Sequence, residues 1–522
     1  MSNFSPYADH GYCALIKEAA AGDPLTPTTY MGFQSESIMP SFNVKPIQSI
    51  AGDRVRHVRS VPNKVEISGD LEFYVEPKTI GHFLRALFGV PIAQTLVASE
   101  SYRHVFAVSD TPKTYTIDIQ HGNAPWVHRY YGVQISKLSF TQDENVLKCV
   151  ASLVPRKAFI NTRIKTEVTT GTTLTVGQTA GLVVGDSILV LKWEDGYTTV
   201  EEHLIAAIPT TTTITTTATI VVTIEVDDIV VIKSATPSYS QDLELVWHGG
   251  GALYAGADID NVTAENKESF EISFENETQQ VWYGGLLEAD RYPGDVLTKG
   301  FSGGGNLSRF YDSESNLDRM RENAKRAMRF LFQGETALGT QAVVKASSTW
   351  GATANGFKIE ATTGGKAGND YNVTLTINDT DDLAASISGK NILVELASTT
   401  ASKNTGTLIA AAVDALTGVT GTAEGTGAEQ FTVAETNQNL GFRVTSAGAE
   451  AGTNVVGRDA NEKPYLQFDM ADIRLDSYFP NTAENNILME EIPFTLYKDT
   501  RSGDQKKNWA TRIFLVNDVT VY

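Results

Sequence analysis

Between Val65 and Val75 the sequence alternates: Val65, Ile67, Leu71, Phe73 and Val75 are apolar, and Glu66, Ser68, Asp70, Glu72 and Tyr74 between them are polar. A period of two over this length defines a long strand with one buried face. Pro77 ends it. Ile80, Phe83, Leu84, Leu87 and Phe88 then recur at helical spacing, and Gly89 stands where a C-terminal cap belongs. Strand, turn and helix make one unit in which the apolar stripe of the helix folds back onto the sheet. The strongest constraint is that the unit has an echo. Gly305-Asn306-Leu307 and Phe310-Tyr311 repeat Gly69-Asp70-Leu71 and Phe73-Tyr74. Leu317, Met320, Ala324, Ala327, Met328 and Leu331 follow before Gly334. Their spacing predicts a second helix over Ser315–Gln333, opened by a capping box of Ser315 and Asp318.

The rest of the chain fits a plan in two halves. Residues 1–40 are punctuated by proline and glycine around the apolar Tyr12–Ile16, and read as an arm running over other structure. Strands follow at 41–50, 115–119, 132–140 and 146–154, the last two joined as a hairpin by the turn 141–145. In the second half Phe270–Phe274 answers Ser41–Val44. ADIRLDSYF at 471–479 answers VQISKLSF at 133–140, and residues 483–497 answer 143–154. Two stretches break the pattern. Residues 161–236, with short Thr/Val strands between Gly and Asp turns, read as a small all-β barrel. Residues 336–462 read as an α+β module, with strands at 357–361, 371–377 and 392–397 and a helix at 407–416. The expected organisation is a mainly β chain: residues 1–160, an insert at 161–236, residues 237–335, an insert at 336–462, and a return at 463–522. A diverged duplication carrying two inserted modules accounts for that order.

Composition excludes several functions. With 62 Asp+Glu against 42 Lys+Arg the formal charge is −20, so the chain lacks the basic footprint of a nucleic-acid-gripping surface. No apolar run reaches the length of a membrane span, and the polar N-terminus is not a signal peptide. Cys13 and Cys149 both lie in apolar-alternating stretches and read as buried thiols. Catalytic patterns are missing. Glu201, Glu202 and His203 are neighbours on a strand and point to opposite faces, as a solvated turn edge would. Asp379, Asp381 and Asp382 lack the glycine and closing glutamate of a calcium loop. Gly249–Gly251 and Gly303–Gly305 are not followed by Lys-Ser/Thr and read as turns or strand bulges. His82 reads as a satisfied histidine at the rim of its helix. Nothing argues for an enzyme, a cofactor or a metal.

Two non-catalytic features remain. The polar faces of the long strands carry Glu66, Asp70, Glu72 and Asp118 in the first half, and Glu271 and Glu275 in the second. Ordinary solubility explains any one of them; the same sign in both halves invites more. Two long loops also differ in charge. One holds Arg54, Arg56 and Arg59, and its counterpart holds Glu277, Glu288 and Asp290. Such loops either stand as solvated hairpin tips or meet between subunits and set their register.

Five segments then point to a family: YCALIKEAAAGDP at 12–24, GDLEFYVEP at 69–77, TIGHFLRALFG at 79–89, HVFAVSDTPKTYTIDI at 104–119 and YYGVQISKLSF at 130–140. In order and spacing they resemble the major tail tube proteins of long-tailed bacteriophages. The resemblance covers the first half well, the second weakly and the two inserts not at all. It implies a β-sandwich or half-barrel with a flanking helix, whose sheets join into a closed ring, and rings that stack into the tube through which the genome leaves. Six copies of such a fold make a ring, so a chain carrying it twice implies a trimer, with the inserts as external decoration. The implied partners are further copies of itself, the tape measure protein, the tail terminator and distal tail proteins, and double-stranded DNA in transit, with no membrane. The implied location is the virion tail, after assembly in the host cytoplasm. Glu66, Asp70, Glu72, Asp118, Glu271 and Glu275 would then face the lumen and repel phosphates, so that DNA slides without sticking. Alternatives are a distal tail or baseplate ring protein, and a host-adhesion protein whose inserts bind carbohydrate, although aromatic residues are sparse there.

Overall fold

The computed structural model describes the chain apart from residues 1–10, 49–56, 98–100, 111, 194–196, 240–244, 246–251, 260–261, 266–268, 283–291, 311–314, 335–337, 339–342, 352–354, 433–437, 441–453, 460–461, 478, 483–487 and 499–508. It is mainly β. The first half contributes strands β1 (Tyr12–Lys17), β2 (Met39–Gln48) and β3 (His57–Tyr74), helix α1 (Ile80–Phe88), and strands β4 (Ser101–Ala107), β5 (Tyr115–Gln120), β6 (Trp126–Asp143) and β7 (Val146–Val154). The alternation at 65–75 behaves as its period requires: Val65, Ile67, Leu71, Phe73 and Val75 are buried while Glu66, Ser68 and Asp70 are exposed. Helix α1 presses its apolar stripe onto this buried face. It ends at Gly89, whose φ of 98° lets its N–H reach the carbonyl of Arg85 at 2.9 Å. β1 is not part of an arm. It pairs on both edges, with Thr29–Met31 and with β5, and buries Tyr12, Cys13, Ala14 and Leu15. Both cysteines are free and buried.

The second half holds β8 (Ser269–Val281), β9 (Asp295–Phe310), α2 (Ser315–Arg321), β10 (Arg326–Gln333), β11 (Tyr465–Leu475), β12 (Phe479–Thr482), β13 (Leu488–Tyr497) and β14 (Thr511–Asn517). The helix expected over 315–333 is cut short. α2 stops at Arg321, Asn323 takes a positive φ of 49°, and the chain restarts as β10. In β10 Met328, Phe330 and Phe332 alternate inward, because both edges are paired, with Ala252–Gly256 and with β11. Gly334 therefore closes a strand, not a helix, and its N–H donates to the carbonyl of Pro464 at 2.8 Å.

The two halves share a pairing scheme. In the first, neighbours run β2–β3–β7–β6; in the second, β8–β9–β13–β11 with β12 continuing β11. The two runs are joined where β6 pairs antiparallel with β8, through Phe140 opposite Ile272 and Leu138 opposite Phe274. A second seam runs the other way: β4, from the first half, pairs with β14, from the second. One apolar cluster consequently spans both halves. Phe140 and Phe274 each lie against Phe468, with ring centroids 4.9 and 5.6 Å apart, and Phe88 of α1 meets Phe274 at 5.4 Å.

Residues 161–236 form a closed barrel of short antiparallel strands. Gly171–Thr175, Thr213–Ile220, Thr198–Thr210, Ser187–Lys192 and Ile229–Lys233 pair in that order, and bonds between residues 163–165 and 175–177 close the circuit. Its interior shares one cluster with Tyr12, Val127, Tyr131 and Phe159 of the first half. Residues 336–462 fold around a separate cluster that includes Trp350, Phe357, Ile392 and Val413. There, strands Phe357–Ala361, Asn372–Ile377 and Asn391–Leu396 lie in two sheets beside a helix, Gly406–Asp414.

Candidate functional site

One polar face of the sheet runs continuously across both halves. Register places Asp70, Ser152, Lys137, Glu275 and Ser302 in one row across β3, β7, β6, β8 and β9. The next row is Glu72, Val150, Ser139, Ser273, Gly304 and Thr495, and the third is Tyr74, Lys148, Thr141, Glu271, Asn306 and Pro493. Because side chains alternate along each strand, every member of these rows points away from the apolar cluster. Of the carboxylates expected on this face, Glu66, Asp70, Glu271 and Glu275 are exposed and Glu72 is half-buried. Glu72 pairs with Lys148 and accepts from Ser35 Oγ at 2.8 Å. The bond from Lys148, followed by that from Ser35, holds its carboxyl below the ordinary range, so it stays ionised at neutral pH. Asp70 accepts from Ser152 Oγ at 2.6 Å.

Lys137 and Lys148 were missed in the sequence reading. The three rows hold four carboxylates (Asp70, Glu72, Glu271, Glu275) and two lysines, so the face is net acidic but not uniformly so. The alternation Lys137-Leu138 and Leu147-Lys148 in the terminal hairpin was the signal that could have found them. The glycine run Gly303–Gly305 is neither a turn nor a bulge. It lies in mid-strand, where a Cβ on Gly305 would come within 2.0 Å of the carbonyl of Glu271, and one on Gly304 within 2.6 Å of that of Phe494. Glycine is what lets β9 sit closely between β8 and β13.

Asp118 does not belong to this face. It is 6% exposed, and Arg129 grips both its oxygens, Nε to Oδ1 at 2.8 Å and Nη2 to Oδ2 at 2.9 Å. The same guanidinium reaches across to Asp186 of the barrel, Nη1 to Oδ2 at 2.6 Å and Nη2 to Oδ1 at 3.1 Å, and Nη1 donates to the carbonyl of Gly181 at 3.2 Å. All five donors of a wholly buried arginine are used. The expectation failed because the barrel covers the outer face of β5, which would otherwise meet water. Burial, which Arg129 only partly offsets, raises the carboxyl of Asp118.

The two charged loops fare differently. Arg54, Arg56, Glu288 and Asp290 lie outside the described residues. Arg59 is on strand β3 opposite Ile47, and Glu277 is on β8 with its carboxylate 3.6 Å from Lys299 of the neighbouring strand. The hairpin arms are longer than expected, so these two residues are strand positions and not loop tips. The sheet ends in two open edges. Among the described residues β2 pairs with β3 alone and β12 with β13 alone. Along β2, Met39, Phe42 and Val44 are 67%, 55% and 53% exposed.

Of the remaining chemical candidates, Gly249–Gly251 lie outside the described residues. Asp381 accepts from the backbone N–H groups of Thr399 and Thr400 at 2.7 and 2.8 Å, and Asp382 pairs with Lys403 at 2.9 Å. His203 is buried rather than on a solvated edge, with Glu201 3.1 Å away. His82 packs edge-on against Tyr115 and Tyr522, and its Nδ1 has no hydrogen-bond partner among the described residues. Burial lowers its pKa to about 4, which keeps the ring neutral. No group of three or more metal-ligating side chains occurs among the described residues, and no helix there is long and apolar enough to cross a membrane.

A continuous sheet with one polar face, two open edges and a core shared between two like-paired halves is the construction of a structural β protein. The family model of the phage tail tube protein matches residues 11–349, well over half of the chain, and the chain belongs to that family. Its role is thus structural, in the tube of a phage tail. The matched range runs through residues 161–236, which the sequence resemblance had left outside. No curated protein matches the chain.

Proposed function

We propose that the chain is a duplicated tube subunit, of the kind found in long non-contractile tails, and that three copies close one ring of the tube. The observation that carries this reading is the β6·β8 seam. It already joins two runs of identical pairing order edge to edge within one chain. Repeating it between chains sets β12, which continues β11, of one copy against β2 of the next. That would pair the exposed edge carrying Met39, Phe42 and Val44 and close the run of strands into a ring. The face bearing Glu66, Asp70, Glu72, Glu271 and Glu275 then lines the lumen, while the stretches 161–236 and 336–462 stand as modules outside. Its excess of carboxylates over Lys137 and Lys148 disfavours phosphate contacts, so double-stranded DNA passes with little adhesion. In this reading the tape measure protein fills the tube before DNA does. Terminator and distal tail proteins cap its ends, assembly takes place in the host cytoplasm, and the subunit catalyses nothing. The opposite charges of Arg54, Arg56 and Arg59 and of Glu277, Glu288 and Asp290 would then meet between subunits and set their register. Cryo-electron microscopy of purified tubes tests all of this. A threefold ring with Glu271 and Glu275 facing the bore is the expected result. A ring of six chains, or those carboxylates on the outer wall, would overturn it.

A further inference from the structure

A cavity of about 590 Å3 opens where strand β4, the second half and the 336–462 stretch meet. Its wall carries Arg103, Arg329, Lys366 and Lys390, together with Tyr254 and Tyr465. These cations are not equally engaged. Asp469 takes Arg329 through two bonds of 2.8 and 2.9 Å, and Asp370 lies 3.3 Å from Arg329 and 3.1 Å from Lys390. Lys366 is held loosely, 3.6 Å from Asp459 and 3.8 Å from Glu462, with its ammonium 5.3 Å from the ring of Tyr465. Arg103 is different. It is 5% exposed and lies over the ring of Phe514 at 4.5 Å, yet its Nε and Nη1 have no hydrogen-bond partner among the described residues. Leaving the donors of a buried guanidinium unused is costly, and a fold retains such a group where something else satisfies it.

We propose that this cavity is an oxyanion site, binding the phosphate or carboxylate group of a small polar molecule through Arg103, with Lys366 as the second contact. Arg103 offers three unused N–H bonds in a planar fork suited to two oxygens. Glu462, 4% exposed, sits behind Lys366 at 3.8 Å and accepts from the backbone N–H of Asp459 at 3.1 Å, while burial raises its carboxyl. The cavity volume falls in the range that holds a small metabolite. Since the walls come from both halves and from residues 336–462, an occupant ties the three together.

The test uses the full-length protein and thermal unfolding in rising sodium phosphate, against sodium chloride at matched ionic strength. Phosphate is expected to raise the Tm saturably where chloride does not. Arg103→Gln is expected to weaken the apparent affinity about tenfold, as loss of a charge-assisted hydrogen bond implies. Lys366→Gln, which disturbs no packing on Phe514, is expected to weaken it severalfold and serves if the first variant folds poorly. Sodium glucuronate and glucose separate the sources. A response to glucuronate and not to glucose assigns a carboxylate ligand, and a response to phosphate alone assigns a phosphate. Identical curves in phosphate and chloride, a matching response to glucose, or parental affinity in both variants would mean that water alone fills the cavity.

Discussion

Residues 161–236 and residues 336–462 both interrupt the same kind of sheet, but they are attached by opposite means. The interior of the barrel is continuous with the first half: Tyr12, Val127, Tyr131 and Phe159 complete its apolar cluster. Its strand Ile229–Lys233 pairs with Trp126 and Val127, and Asp186 closes on buried Arg129. The second stretch closes its cluster entirely from its own side chains. Apart from Leu338, which packs on the cluster of Val105, Tyr465 and Phe514, it meets the rest through polar contacts, Asn391 to Asp258 at 3.0 Å, Asp370 to Arg329 at 3.3 Å, and Arg458 to the carbonyl of Leu96 at 2.6 Å. An insertion that shares a core has become part of the fold. One that keeps its own core and is held mainly by hydrogen bonds remains exchangeable, because water can replace those contacts.

Deletion gives the widest separation between the two. Removing 161–236 exposes the cluster around Tyr131 and Phe159 and is expected to abolish cooperative unfolding. Removing 336–462 with a short linker should leave a soluble, cooperatively melting protein, since Gly334 already bonds to Pro464 across the gap. Circular dichroism melts of both deletions would decide; equal outcomes break the comparison. The Arg129 lock is the next lever. Arg129→Met leaves two carboxylates facing each other without their cation, and should cost about 3–5 kcal/mol in chemical denaturation. A cost below about 1 kcal/mol would mean that the barrel is held by its apolar seam alone. The smallest effect belongs to the other attachment. Asn391→Ala removes one buried bond to Asp258 and should cost about 1 kcal/mol, read from the same denaturation curves. A much larger loss would show that the second module is not as separable as its core implies.

Much of the fold was legible because alternation and helical spacing are local. β3, α1 and β7 sit where their periods put them. β10 did not, and the reason is specific. Ala327, Met328 and Leu331 satisfy a helical stripe, while Met328, Phe330 and Phe332 satisfy a strand, so the sequence alone leaves both open. Partners on both edges decided for the strand. Of the polar face, the carboxylates of β3 and β8 were readable from their alternation. The rows that bring Lys137 between Ser152 and Glu275 were not, since register between strands far apart in sequence is not written in either one.

The sequence by itself therefore determined which residues turn away from the apolar side of each strand, since that follows from backbone geometry within a few residues. Which of those turned-away residues meet water was decided only by the tertiary structure. Asp70 and Asp118 occupy the same kind of alternating position, yet one is exposed and the other is buried against Arg129. The difference lies in the barrel at 161–236, whose covering of β5 is a contact between segments that no local period encodes.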